Sequence, residues 1–160
     1  MLVNPNDAFT QSMLPVIDGA AKTLNLRIQI VKASAASEIA EYFAQMARGH
    51  AGALLIENDP FLSTVHAKIA ALAVQHKLPS IHSDRQYAEA GGLMSYGRAS
   101  AEFFRHAAPY VDKIFKGAKP ADLPVEQPTR FEFSITMKTA KALGIKFPYS
   151  IMLQATKVIE

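Results

Sequence analysis

The chain has no cysteine, which removes thiolate nucleophiles, cysteine-ligated zinc, iron–sulfur clusters and dithiol redox chemistry at once. Charge of one sign is scarce as well. Lys and Arg number 17 against 14 Asp and Glu, a formal +3 with no long run of like charges, and so small a bias leaves no electrostatic footprint for nucleic acid or an anionic membrane. The opening Met1-Leu2-Val3-Asn4-Pro5-Asn6 has no basic head and no apolar run of about 7–15 residues, so it does not read as a secretory signal. No stretch approaches the roughly 20 apolar residues of a membrane helix. Taken literally, the polypeptide is expected to be soluble and, if Met1 is its true start, cytoplasmic.

Catalytic patterns are missing too. His50, His66, His76, His82 and His106 occur in no HxxxH, HxH or HExxH spacing. His66 and His76 fall on opposing sides of one helix and cannot share a metal, so the histidines read as surface or cap residues. There is no GxSxG elbow, and Gly91-Gly92 lacks the Lys and Ser/Thr of a phosphate loop. Glu57 and Asp59 form a carboxylate pair, with no second acidic site in sequence reach to make a glycosidase or metal centre. No catalytic residue, metal ligand or cofactor is assigned.

What is present is 160 residues, 49% hydrophobic and 19% charged, enough for one globular domain that buries roughly two-thirds of its unfolded surface without disulfides or metal. Short apolar runs alternate with helix-period segments, the pattern of an α/β fold with a mostly parallel sheet flanked by helices. Strands are expected at 1–3, 27–31, 53–56, 79–82 and 93–96. The run Ala53-Leu54-Leu55-Ile56 reads as a central strand buried on both faces. Helices are expected at 8–24, with Pro15 inside, at 38–48 after a Ser34 or Ser37 cap, at 63–76 with Ser63 as cap, and at 99–116, ended by Gly117. Pro120, Pro124 and Pro128 make 118–129 a linker. Beyond it, 130–135 alternates as a strand with one wet face at a sheet edge, 137–143 is a helix closed by Gly144, and 149–158 a terminal helix. The division is one α/β lobe over 1–160: core units at 1–97, the long helix at 98–117, the linker at 118–129 and a terminal strand with helices at 130–160.

In an open parallel sheet, ligands bind at the carboxyl ends of the strands, where loops converge and helix N-termini point into the crevice. The polar residues there are Asn4, Asn6, Asp7 and Thr10 after the first strand, Glu57, Asn58 and Asp59 after the third, Ser83 and Asp84 after the fourth, and Tyr96 with Gly97 at the fifth. Such groups orient a small ligand by hydrogen bonds and charge, with Tyr96 offering an apolar face. The same residue types also form turns and cap helices, and both readings stay open.

Three stretches carry a resemblance: GGLMSYG at 91–97, YVDKIFKGAKPADLPVEQPT at 110–129 and KTAKALG at 138–144, with LVNPN at 2–6 in support. In order and spacing they resemble the ABC-transporter substrate-binding protein family of the type I periplasmic-binding-protein fold. The resemblance covers the C-terminal half of that family, its second lobe. It implies a Rossmann-like lobe, a small amino-acid-like solute as ligand, an ABC permease as partner of the full-length protein and a periplasmic location. It also implies that Asp59 is the carboxylate meeting a ligand amine, and that Asn6, Asp7, Thr10, Ser83, Asp84 and Tyr96 lie on the cleft rim. The family's first lobe and leader have no counterpart here, so either another chain supplies the missing N-terminal lobe or the chain is truncated.

In that family the helix after the fifth strand resembles an element that docks on the first lobe. Here it carries Phe103, Phe104, Ala107, Ala108, Val111, Ile114 and Phe115 in two adjoining stripes, wider than one buried face requires. Leaving two Phe and two aliphatic side chains uncovered costs roughly 1.5–3 kcal/mol each, a large share of a total of ~5–15 kcal/mol. A homodimer through this helix is therefore expected, with exchange of the segment beyond Gly97 as one route. Two classes remain, a non-catalytic solute-binding lobe and an orphan lobe that dimerises and binds no solute well; a small α/β enzyme, the third and lesser alternative, needs a histidine beside Glu57 or Asp59 in space.

Overall fold

The computed structural model describes residues 1–127 and 129–160, with the side chains of all these but Ser100, Ala101, Glu102 and Phe103. Pro128 of the linker and Phe103 of the long helix's apolar stripe thus lie outside the described side chains.

Helices alternate with short strands: β1 (Leu2–Val3), α1 (Ala8–Thr23), β2 (Val31–Lys32), α2 (Ile39–Arg48), β3 (Leu54–Leu55), α3 (Pro60–Thr64), α4 (His66–Gln75), β4 (Ser80–His82), α5 (Arg85–Glu89) and β5 (Met94–Arg98), with Asp7, Asp59 and Asp84 capping α1, α3 and α5. Then come α6 (Ser100–Phe115), a 3₁₀ turn, β6 (Phe131–Thr136), α7 (Met137–Leu143), α8 (Tyr149–Gln154) and β7 (Lys157–Ile159). The pair β1-β2 is parallel, and β3-β4-β5-β6-β7 form a second sheet. A parallel bridge between Leu2 and Ile56, with Glu57 N–H donating to the Leu2 carbonyl at 3.0 Å, joins the two. The seven strands thus run in the order β2-β1-β3-β4-β5-β6-β7. All are parallel up to β5; β6 is antiparallel to β5, and β7 parallel to β6. The fold is α/β with a mostly parallel sheet flanked by helices, as the sequence pattern predicts.

Right-handed crossovers stepping outward in one direction put α2, α4 and α5 on one face of the sheet. Ile39, Phe43 and Met46 of α2 and Ile69, Ala70 and Ala73 of α4 recur at helical spacing and meet Leu54 and Ile56 in the core. Truncating Ile39, Phe43, Met46 or Ile69 to Ala costs ~2–5 kcal/mol. On the opposite face Leu55 is 42% exposed, so β3 is buried on one side only, contrary to the reading of its apolar run. The helix α1, whose crossover steps the other way, belongs to that face.

Other expectations shift for local reasons. The strand expected at 27–31 reduces to Val31–Lys32, the two residues that pair with Leu2 and Val3 of β1. Neither Ser34 nor Ser37 caps α2. Instead the Glu38 carboxylate accepts the N–H of Ser34 and Ala35 at 2.9 and 3.0 Å, and these bonds to the charged form hold its pKa below the usual value. The segment 63–76 is two helices that divide at Val65; the cap of the first is Asp59, while Ser63 Oγ donates to the Asp59 carbonyl at 2.9 Å. The strand β6 is not an edge, because the expected terminal helix ends at Gln154 and the chain returns as β7 to pair outside it. Gly144 closes α7 in the left-handed conformation at φ 70°, as its position suggests. Among the described residues no helix is long and apolar enough to cross a membrane.

Candidate functional site

Because β1, β3, β4 and β5 run parallel, the loops leaving them gather on one edge. The pairings Leu55–Ile81 and Ile81–Met94 set the level: two residues on, Glu57, Ser83 and Tyr96 stand side by side. The β3–α3 loop supplies two buried carboxylates, Glu57 at 5% and Asp59 at 3% exposure. Asn4 joins them. Its backbone N–H donates to Glu57 Oε2 at 2.9 Å and its Nδ2 to Asp59 Oδ2 at 3.0 Å. Thr10 Oγ1 lies 2.7 Å from Glu57 Oε1 and 2.8 Å from the Asn4 carbonyl, so its single proton serves one at a time. Asp59 Oδ1 accepts the Leu62 N–H at 2.8 Å and begins α3. All these donors are neutral. Among the described residues no Lys, Arg or His forms an ion pair with either carboxylate, and a buried anion without a cation leaves a negative potential for a ligand to satisfy.

Below the rim, His82 is fully buried, as is Tyr87, whose hydroxyl donates to Ser80 Oγ at 2.6 Å. Burial pushes the Tyr87 phenol up to about 12 and the His82 imidazole down to about 4. His66 stands edge-on to His82 at 4.5 Å and to Tyr87 at 5.5 Å between centroids. It is 6% exposed, its Nε2 has no hydrogen-bond partner, and burial lowers its pKa. The expectation of surface or cap histidines therefore fails for His66 and His82: both occupy the inward face set by α4 and by the pleat of β4.

The other expected residues take distinct places. Asn6 is exposed, its N–H on Asn4 Oδ1 at 3.0 Å; Asn58 is exposed beside the buried pair. Asp7 caps α1 through the Phe9 N–H, and Asp84 caps α5 through the Gln86 N–H. Ser83 is half-buried, with its carbonyl against Gly97, where a Cβ would collide with it. Tyr96, 55% exposed, turns onto the open face of the sheet, stacked on Phe131 and edge-on to Phe133 at 5.7 and 6.1 Å. Thr10 and Asp59 thus join Asn4 and Glu57 in one bonded group, and His82 ties Asp84 to it. The sequence names the loops after the first, third, fourth and fifth strands but gives no sign of His82's place among them, since no spacing marks a histidine at a strand end. Where β5 ends, a cavity of about 330 Å³ opens between α6 and the segment before β6, lined by Arg98, His106, Tyr110, Val125, Glu126 and Arg130. Among the described residues no group of His, Asp or Glu is placed to hold a metal ion.

No curated protein matches the sequence. Among solved structures, a conserved domain protein from Vibrio cholerae superposes with a TM-score of 0.89 at 21% identity, over 98% of this chain and 53% of that one. An ABC domain from Streptococcus pneumonia in complex with L-Trp gives 0.86 at 23%, over 99% and 55%. The ligand-free, open structure of a substrate binding protein with adhesive properties from Clostridium difficile gives 0.75 at 16%, over 99% and 52%. The chain thus spans about half the length of the solved structures it resembles, and at these identities the likeness establishes the fold. A model of the ABC transporter substrate binding protein family, however, matches residues 1–159, and the chain belongs to that family.

Proposed function

We propose that the chain is a non-catalytic solute-binding lobe that holds a small amino-acid-like ligand at the strand-end rim, in the periplasm, for an ABC permease. The observation that carries this reading is the pair of buried carboxylates, Glu57 and Asp59, with neutral donors around them and, among the described residues, no ion-paired cation. A ligand ammonium supplies the missing charge through a charge-assisted bond. Exposed Asn6 and Asn58 and half-buried Ser83 offer polar contacts to the carboxylate end, and the Tyr96 face suits an apolar side chain. The similarity to a domain solved with L-Trp makes L-tryptophan the first probe.

Isothermal titration of L-tryptophan into the wild-type chain and Asp59→Asn tests it. Asn still caps α3 through Oδ1 but carries no charge and gives up the bond from Asn4 Nδ2, so circular dichroism accompanies the titration to check the fold. Losing a charge-assisted bond of ~1.5–3 kcal/mol weakens binding by roughly ten- to a hundredfold. Saturable binding that Asp59→Asn leaves unchanged contradicts the assignment.

A second reading rests on α6. Val111, Ile114 and Phe115 are exposed, Phe115 to 86%, so the helix offers an apolar face to a second body: another lobe, or a second copy of this chain. An orphan lobe that dimerises in this way and binds no solute is the alternative, and the titration separates the two.

A further inference from the structure

His82 ends β4 beneath the rim, and its two ring nitrogens reach the loops on either side. The Asp84 backbone N–H donates to Nδ1 at 2.8 Å, and Nε2 lies 3.1 Å from the Glu57 carbonyl oxygen. An amide N–H donates only to a lone pair, so Nδ1 carries no proton and the neutral ring keeps its hydrogen on Nε2, donating to Glu57. The imidazole is a strut. On one side stands the β3–α3 loop, whose Glu57 carboxylate gathers Asn4 and Thr10; on the other stands the β4–α5 loop, whose Asp84 caps α5. We propose that His82 is the positioning residue that locks these two loops into one rim, and that a proton on its Nδ1 uncouples them and weakens solute binding in acid.

Protonation turns Nδ1 from acceptor to donor, facing the Asp84 N–H donor to donor, and that bond is lost. The groups around the ring set when this happens. His66 from α4 and Tyr87 from α5 pack on it at 4.5 and 5.8 Å between centroids. Burial opposes the proton most, and the His66 charge adds to it; the Glu57 carbonyl and the Asp84 carboxylate favour the proton. Burial prevails and the ring titrates at about 4. The folded-state value lies below that of a free imidazole, so the coupling is complete at neutral pH and is lost as pH falls through the folded value. Two histidines this close titrate as a pair, and the midpoint belongs to both.

The solute half of this proposal rests on the rim site proposed above; the strut does not. The test follows amide-exchange protection of Asp84 in the free protein from about pH 7 to about pH 3, with the His82 ring nitrogen shifts recorded in parallel. In the wild type, Asp84 protection falls roughly tenfold per pH unit below the ring's midpoint, the slope of one proton, while the Ile69 amide in the core stays protected. Two variants separate the bonds. His82→Asn keeps an acceptor where Nδ1 stood and does not titrate, so Asp84 stays protected throughout. His82→Gln keeps a donor toward Glu57 and leaves Asp84 without an acceptor, so its protection is lost even at neutral pH. Protection of Asp84 unchanged through the ring's titration, lost only together with Ile69, or alike in the two variants overturns the strut. Titrated with L-tryptophan at the same pH values, the two proteins share what the rim carboxylates contribute, and the wild type weakens by a further factor that follows the ring's titration and that His82→Asn lacks. A pH dependence alike in the two overturns the solute half. No binding at any pH overturns the rim site and the solute half with it, while the strut is still decided by the amides.

Discussion

His66 presents a buried imidazole nitrogen to no partner, against the edges of His82 and Tyr87. Such a group costs ~1–3 kcal/mol, and an apolar side chain of similar volume relieves the cost. His66→Leu is therefore expected to be within about 1 kcal/mol of the wild type at pH 7, or more stable. Its advantage should grow in acid. Burial lowers the His66 pKa in the folded chain, so the unfolded chain takes up the proton first and wild-type stability drains as pH drops below that of a free imidazole. Denaturant unfolding at neutral and mildly acidic pH checks both points; a loss larger than about 2 kcal/mol at pH 7 contradicts them. At this scale the sequence was half legible. Asp7, Asp59 and Asp84 stand where caps stand and serve as caps. The same Asp59 also closes the buried carboxylate group through Asn4, a partner 55 residues away, which local spacing cannot show.

The elements followed from period and punctuation wherever their neighbours were local. The Met137–Leu143 helix and its Gly144 stop match the reading because both signals lie within the segment. Misreadings fall where pairing decides. The strand expected at 27–31 pairs with β1 only at Val31 and Lys32 among the described residues, and the segment expected as a helix at 149–158 ends in a strand because β6 offers an edge. Gly97 belongs to this class: it passes against the Ser83 carbonyl with no room for a Cβ, a close approach that the sequence marks only as a turn residue. The helix α6 was read correctly, and its exposed stripe bears on assembly. In sedimentation at micromolar concentration this chain alone is expected to self-associate, and Phe115→Asp to shift it toward monomer. A wild-type chain that stays monomeric contradicts covering of α6 by a second copy.

As a whole molecule, the chain is a mostly parallel sheet whose loop-bearing edge is buried at its carboxylates and open at Asn6, Asn58 and Tyr96. Fold class was legible because strand and helix periods alternate along the chain, and the family followed from contiguous stretches of residues. The candidate edge was named in the sequence as a set of loops but not as a network, because its hydrogen bonds join residues from separate βα units. The rim and the cavity beside α6 are alternative places for a solute, and they share no lining residue. The most direct test maps backbone amide shifts of the free protein as L-tryptophan is added. The rim site predicts saturating changes centred on Asn4, Glu57, Asn58, Asp59 and Ser83; changes centred instead on Tyr110, Glu126 and Arg130, or none at any concentration, would contradict it.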